Sequence, residues 1–203
     1  MPDKAKPLSF STTIRNPERI PNFLNCILPF EGKLLTSQVI HEVVKSLIRA
    51  KEYTPFYVRN QPKLKSILLN DEKTYNDNEL EIIIEKSPQK HKEAGFEYGW
   101  DSRFDTWYKM IKEFGFIKYS MNKPIEITQT GHMLVDAYNE DPINEKKIQL
   151  VYLNALMKYQ TNNPLRRNLN ENVPLPFLLN VIQYFHNDPN ENNAGIARYE
   201  LPI

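Results

Sequence analysis

The sequence predicts a mostly α-helical fold with short β-hairpins, an α+β arrangement, and three observations lead there. Apolar residues recur at i, i+3, i+4 and i+7 in several separate stretches. Most of those stretches are preceded by a residue that can cap a helix. Residues 116–127 instead alternate apolar and polar around a turn, as a hairpin does.

Taken in order, residues 1–13 are polar and lack periodicity, so they read as a loose arm with a short strand near Leu8 to Thr13. Asn16 is a good N-cap and Pro17 suits the first helical position, where no donor is needed. Ile20, Phe23, Leu24, Ile27 and Leu28 make the apolar face, and Gly32 closes the segment. Thr36 or Ser37 caps the next helix, which turns Val39, Ile40, Val43, Val44, Leu47 and Ile48 inward. From Tyr53 to Asn70 the chain carries Arg59, Lys63 and Lys65 without an acid. That run reads as a solvated helix face, with phosphate contact as the alternative. Asp77 is expected to cap a short helix through Leu80, Ile83 and Ile84, ending before Pro88.

The stretch from Asp101 to Tyr138 organises the rest. Asp101 or Ser102 is expected to cap a helix with Phe104, Trp107, Tyr108, Ile111 and Phe114 on one face. Gly115 then stands where a left-handed C-terminal cap is wanted. Phe116, Ile117 and Tyr119 form one strand and Ile125 and Ile127 the other. Residues 120–123 make the turn, and Pro124 opens the return strand, where it loses no ladder bond. Thr128 caps a helix carrying Met133, Leu134, Ala137 and Tyr138. Helix, hairpin, helix at these lengths is the back half of a winged helix, a unit that binds DNA or docks proteins.

NEDPINEKK is read as a boundary, giving a first subdomain at residues 1–139, with the winged helix at about 97–139, and a second at 140–203. The second holds a helix through Ile148, Val151, Tyr152, Ala155, Leu156 and Tyr159. A loop rich in Asn, Gln and Arg follows, and then a helix opened by Pro176 with Phe177, Leu178, Val181, Ile182 and Phe185. GIARYEL resembles the turn and first residues of the second helix of a helix-turn-helix, so the expectation is a chain that stops within a fold.

Composition narrows the chemistry. A formal net charge of +1 gives no global attraction to nucleic acid or membrane, so any DNA affinity must be local. Cys26 is the only cysteine, which excludes an internal disulfide and a cysteine metal cluster; its apolar setting predicts a buried thiol. The absence of an apolar leader or a span of about 20 apolar residues predicts a cytoplasmic protein. Two ExK patterns, Glu31-Gly32-Lys33 and Glu145-Lys146-Lys147, lack the carboxylates and apolar strands that would assemble a Mg²⁺ nuclease site. No catalytic residue, metal ligand or cofactor is therefore assigned within these residues. His41, His91, His132 and His186 never stand at i, i+4, so a zinc site has no support.

DNA contact needs Lys, Arg or hydroxyls for phosphates, and Arg, Lys, Asn or Gln for base edges. On the central helix Arg103, Thr106, Lys109 and Lys112 avoid the apolar stripe, with Asp105 and Glu113 beside them. Lys118, Tyr119, Asn122 and Lys123 lie on the expected wing. Asn162, Asn163, Arg166 and Arg167 fall in a loop within Lys146–Asn170, a stretch with five basic residues and no acid. Arg15 and Arg19 flank the first cap, where Arg15 can reach a phosphate or brace a carboxylate inside the fold.

Several segments together resemble a known family. RNPERI followed by LPFEGK, then KEFGFIKYSMNKPIEITQTGHML, then LNALMKYQTNNPL leading into PLPFLLNVIQYF, resemble the AlwI-type type IIS restriction endonucleases, a group with strand-nicking relatives. The likeness runs from about Thr13 to the end and rests on order and spacing, with RNPERI and FEGK the most telling pair. It implies an N-terminal region of winged-helix subdomains that reads a short asymmetric site in double-stranded DNA as a monomer. It also implies a separate C-terminal nuclease domain with a PD…(D/E)xK core using Mg²⁺, lying outside this chain. The alternative is a winged-helix transcription regulator, or a protein-docking adaptor, without nuclease activity.

Overall fold

The computed structural model describes residues 14, 16–141, 145–161 and 173–187. The expected strand near Leu8 and the GIARYEL segment lie outside them. The described chain is mostly helical. In order it comprises α1 (Ile20–Ile27), α2 (Ser37–Arg49), α3 (Phe56–Asn60), α4 (Pro62–Leu68), α5 (Asp77–Glu85), α6 (Trp100–Glu113), β1 (Ile117–Lys118), β2 (Glu126–Ile127), α7 (Gln129–Glu140), α8 (Glu145–Met157) and α9 (Pro174–Asn187).

Three caps follow from side-chain chemistry. Asn16 accepts a hydrogen bond from the Glu18 amide and Thr36 from that of Val39, satisfying donors that have no partner within the helix. Thr128 does the same for Gly131 at the start of α7. Two expected caps move. α5 is capped by Asn76 rather than Asp77, because Glu79 reaches back to the Asn76 amide and closes a capping box. α6 begins at Trp100 after Gly99, not at Asp101 or Ser102. The Asp101 carboxylate is instead spent on α2, accepting from the Ser37 hydroxyl at 2.5 Å while almost fully buried. The last helix opens at Pro174 rather than Pro176, and both prolines fall in its first turn.

α6 is the axis of the core. Phe104, Tyr108 and Ile111 have no solvent exposure, and the Phe104 and Tyr108 rings stack at 4.6 Å. The Tyr108 hydroxyl donates to the Phe23 carbonyl at 2.8 Å, joining α6 to α1. Trp107 packs on Tyr53 at 4.6 Å and Trp100 on Tyr53 edge-to-face at 6.0 Å, so the 53–99 segment closes over a second side of the helix. Cys26 is buried in the same core, and burial pushes its thiol up to about 12.

Gly115 takes the left-handed conformation (φ +75°) that ends α6. β1 and β2 then pair antiparallel, Ile117 opposite Ile127 and Lys118 opposite Glu126. The strands are shorter than expected, but residues 32–35 extend the ladder. The Gly32 amide donates to the Ile125 carbonyl, Ile125 to Lys33, Leu35 to Lys123 and Asn122 to Leu35, all at 2.8–2.9 Å. A bridge between Leu34 and Pro124 centres this pairing. Glu31 fastens the same corner by accepting from the Ile127 amide at 3.0 Å and pairing with His132 of α7 at 3.1 Å. α7 runs so close to the hairpin that a Cβ on Gly131 would lie 2.2 Å from the Phe116 carbonyl oxygen.

α8 lies against α7 and closes the same core. Val151 and Ala155 are buried, and Tyr152 meets Phe116 edge-on at 5.6 Å while donating to the Pro17 carbonyl at 2.6 Å. The division expected at 139/140 falls in the last turn of α7, and α8 beyond it shares the same core. α9 differs: of its residues only Pro174 is buried, and Phe177, Leu178, Leu179 and Tyr184 are exposed.

Candidate nucleic-acid interface

The polar side of α6 faces protein. Arg103 lies over the Tyr53 and Trp107 rings at 5.5 and 5.3 Å, with one guanidinium nitrogen 2.5 Å from His91 Nε2. Burial and the Arg103 charge together hold the His91 imidazole below its usual range. The Thr106 hydroxyl donates back to the Ser102 carbonyl at 2.8 Å. Lys109 pairs with Glu93 at 2.9 Å and stands 3.7 Å from Asp105. Lys112 donates to the Tyr119 carbonyl at 3.1 Å and sits 4.6 Å above the Tyr119 ring.

On the helix face that was expected to be open, each of these four side chains has a protein partner while staying partly exposed. Asp105 and Glu113, expected beside them, are buried; burial raises the Asp105 carboxyl, against the pull of Lys109 and Tyr119.

The wing divides. Tyr119 is only 4% exposed and its hydroxyl donates to Asp105 at 3.0 Å, which corrects its expected place on the surface. Burial raises that hydroxyl well above the ordinary tyrosine range, so it stays a donor. Lys118 is exposed and paired across the ladder with Glu126 at 2.8 Å. Asn122 and Lys123 at the hairpin tip are exposed, with no side-chain partner among the described residues. Asn122 adopts φ +62°, a turn conformation that asparagine tolerates.

Arg19 is half-exposed and bonds the Glu52 carboxylate at 3.3 Å as well as the Glu52 carbonyl, with its guanidinium over Phe23. It braces the start of α1 against the chain after α2. Arg15, Asn162, Asn163, Arg166 and Arg167 lie outside the described residues. The acid-free run behaves as two groups: Lys63 pairs with Glu79 at 2.9 Å, whereas Arg59 and Lys65 are exposed.

Sequence reasoning missed Lys33. It is exposed, has no ion-pair partner among the described residues, and its ammonium sits 4.9 Å from the Phe30 ring. Only long-range pairing puts it beside the hairpin, and the one local signal, its ExK frame, pointed elsewhere. Glu31 of that frame is engaged by Ile127 and His132, while in the other frame Lys147 pairs with Glu140 at 2.6 Å. Among the described residues no three His, Cys, Asp or Glu side chains converge, so these donors do not fit a Mg²⁺ pair and no hydrolytic step is assigned to them. A cavity of about 420 Å³ between α1 and α8 is lined by Glu18, Glu145, Pro17, Pro21, Tyr138 and Tyr152, a lining unsuited to phosphate.

The comparison with known families finds a similarity to type II restriction enzymes over part of the chain. The AlwI restriction endonuclease family model matches residues 112–201, from the last turn of α6 through the hairpin to beyond α9. Over that segment, rather less than half of the chain, the sequence is similar to the AlwI-type restriction endonucleases. RNPERI and LPFEGK lie before the matched segment. Neither curated proteins nor solved structures gave a match. Among the described residues no helix is long and apolar enough to cross a membrane.

Proposed function

We propose that this chain is a sequence-specific, double-stranded DNA recognition region of a type IIS restriction or nicking endonuclease, with Mg²⁺-dependent hydrolysis performed by a domain outside these residues. In this reading α1, α2 and α6 are the three helices of a winged helix, with α3–α5 inserted between the second and third. The observation that carries it is the ladder. Residues 32–35, between the first two helices, pair with the return strand of a hairpin that follows the third, which is the strand order of that fold. The family relationship supplies the DNA.

Contact is assigned to the wing, through Lys118, Asn122 and Lys123, and to the loop bearing Asn162, Asn163, Arg166 and Arg167. α6 serves as the rigid support. The chain would act as a monomer on a short asymmetric site, in the cytoplasm of a prokaryote. Binding should weaken steeply with salt, since each neutralised phosphate releases counterions. The test is a gel shift of the 203-residue chain over randomised duplexes. A selected asymmetric site supports the reading, and equal affinity for every sequence at every salt removes it.

A second reading, protein docking, is favoured by one observation. Leu150, Leu153 and Met157 of α8 and four large apolar residues of α9 are exposed. No shift with any duplex would support it.

A further inference from the structure

We propose that the cavity between α1 and α8 binds a small organic cation, an alkylammonium or alkylguanidinium group, with Glu18 and Glu145 holding its charge and Tyr138 and Tyr152 walling its apolar part. The proposal goes beyond the DNA-recognition reading and does not rest on it.

Three elements that share the core build the cavity. The turn before α1 brings Pro17 and Glu18, α7 brings Tyr138, and α8 brings Glu145 and Tyr152. Its volume of about 420 Å³ lies at the small end of the range for ligand sites, roughly 300–1,000 Å³. Tyr152 keeps it open. The hydroxyl is spent on the Pro17 carbonyl at 2.6 Å and the ring is held edge-on by Phe116 at 5.6 Å, so this side chain cannot swing in to fill the space. Burial raises that hydroxyl above the ordinary tyrosine range, so it stays protonated and brings no charge. Pro21 is buried and has no donor to offer a ligand.

The charge of the lining selects the ligand. Glu18 and Glu145 are its only ionised groups, and no Lys or Arg stands among the residues that form it. Glu18 accepts from the Asn16 side-chain amide at 3.1 Å and Glu145 from that of Gln149 at 3.5 Å, yet neither has an ion-pair partner among the described residues. Glutamates that brace the fold differ: Glu52 is paired with Arg19 and Glu79 with Lys63. Two carboxylates on one concavity repel each other, and a cation bound beside them removes that cost. Tyrosine rings attract the same cation through their negative faces. An uncharged ligand would leave the carboxylates uncompensated. A metal ion asks for more oxygens than two side chains give, and among the described residues no three metal-binding side chains converge.

The experiment is calorimetric titration of the full 203-residue chain at low salt with spermidine, with acetyl-arginine amide and with uncharged hexanediol. Binding of either cation supports the site, and the tighter of the two tells a free polyamine from a basic side chain of another protein. Glu18→Gln and Glu145→Gln should each weaken binding about fivefold or more, and Tyr138→Ala about threefold. Glu72→Gln, at a carboxylate outside the cavity, should leave it unchanged. All three glutamates are exposed, so these changes leave the fold intact. Equal losses in Glu72→Gln and Glu145→Gln would show diffuse counterion attraction, and equal binding of hexanediol would show that charge plays no part. Either result overturns the proposal, as does binding of neither cation. The gel shift with DNA is read separately, so the recognition reading stands or falls apart from these outcomes.

Discussion

The central helix and the hairpin carry similar side chains and have opposite fates. α6 offers Arg103, Thr106, Lys109 and Lys112 on the side away from its apolar stripe, and the hairpin offers Lys118, Asn122 and Lys123. On α6 every one of those groups has a protein partner, in aromatic rings, carbonyls, His91 or Glu93. At the hairpin tip Asn122 and Lys123 have none among the described residues, while Lys118 on the strand is paired with Glu126. A helix can be amphipathic and still be covered on both faces, because the second cover comes from chain far away in sequence. The hairpin tip is also paired by distant chain, at residues 33–35, but that pairing uses backbone groups and leaves the Asn122 and Lys123 side chains exposed. The polar face of α6 is thus part of the framework, and the tip is where chemistry with another molecule remains open.

Substitutions can break or sharpen that contrast. The largest effect is expected at Trp107→Ala, which empties a site packed by Tyr53, Trp100 and Phe23 and should cost about 3–5 kcal/mol of unfolding free energy. Chemical denaturation would measure it, and a loss under about 1 kcal/mol would mean that α6 is not the axis of the core. Gly131→Ala should cost about 1–3 kcal/mol, because the new methyl meets the Phe116 carbonyl and α7 must retreat from the hairpin. A neutral result would show that α7 and β1 do not approach so closely. Arg103→Ala should cost about 1–2 kcal/mol of stability through lost ring contacts. The salt slope of DNA binding should not change, and a lower slope would return Arg103 to the interface.

The smallest expected effect is in pH dependence. His91 binds its proton less readily folded than unfolded, so the unfolded state takes up more protons as pH falls from about 7 to 5, and stability drops over that window. His91→Gln should remove that part of the loss. Identical pH profiles for the two proteins would contradict the assigned cause.

What the sequence made legible was local. Asn16, Thr36, Thr128 and Gly115 can each be read because a cap needs only the next few residues to act. The misplaced caps failed on competition. Asp77 lost to its neighbour Asn76, which gains the reciprocal bond from Glu79, and Asp101 was claimed by Ser37 some sixty residues earlier. Pairing of 32–35 with 122–125 left no trace in either segment, since two or three residues on each side are too few for a period. For the same reason Lys33 went unnoticed as a neighbour of Lys123. Tyr119 shows a further limit: alternation placed it in the strand, yet nothing local marks Asp105 as the partner that draws its hydroxyl inward.

The direct test of the contrast is the salt dependence of duplex binding for Lys123→Ala and Lys112→Ala, measured side by side with the unsubstituted chain. The slope should fall by about 0.9 for Lys123→Ala and stay unchanged for Lys112→Ala. The reverse result, an unchanged slope at the hairpin tip and a lower one on the helix, would show that the helix face meets the duplex and that the hairpin does not.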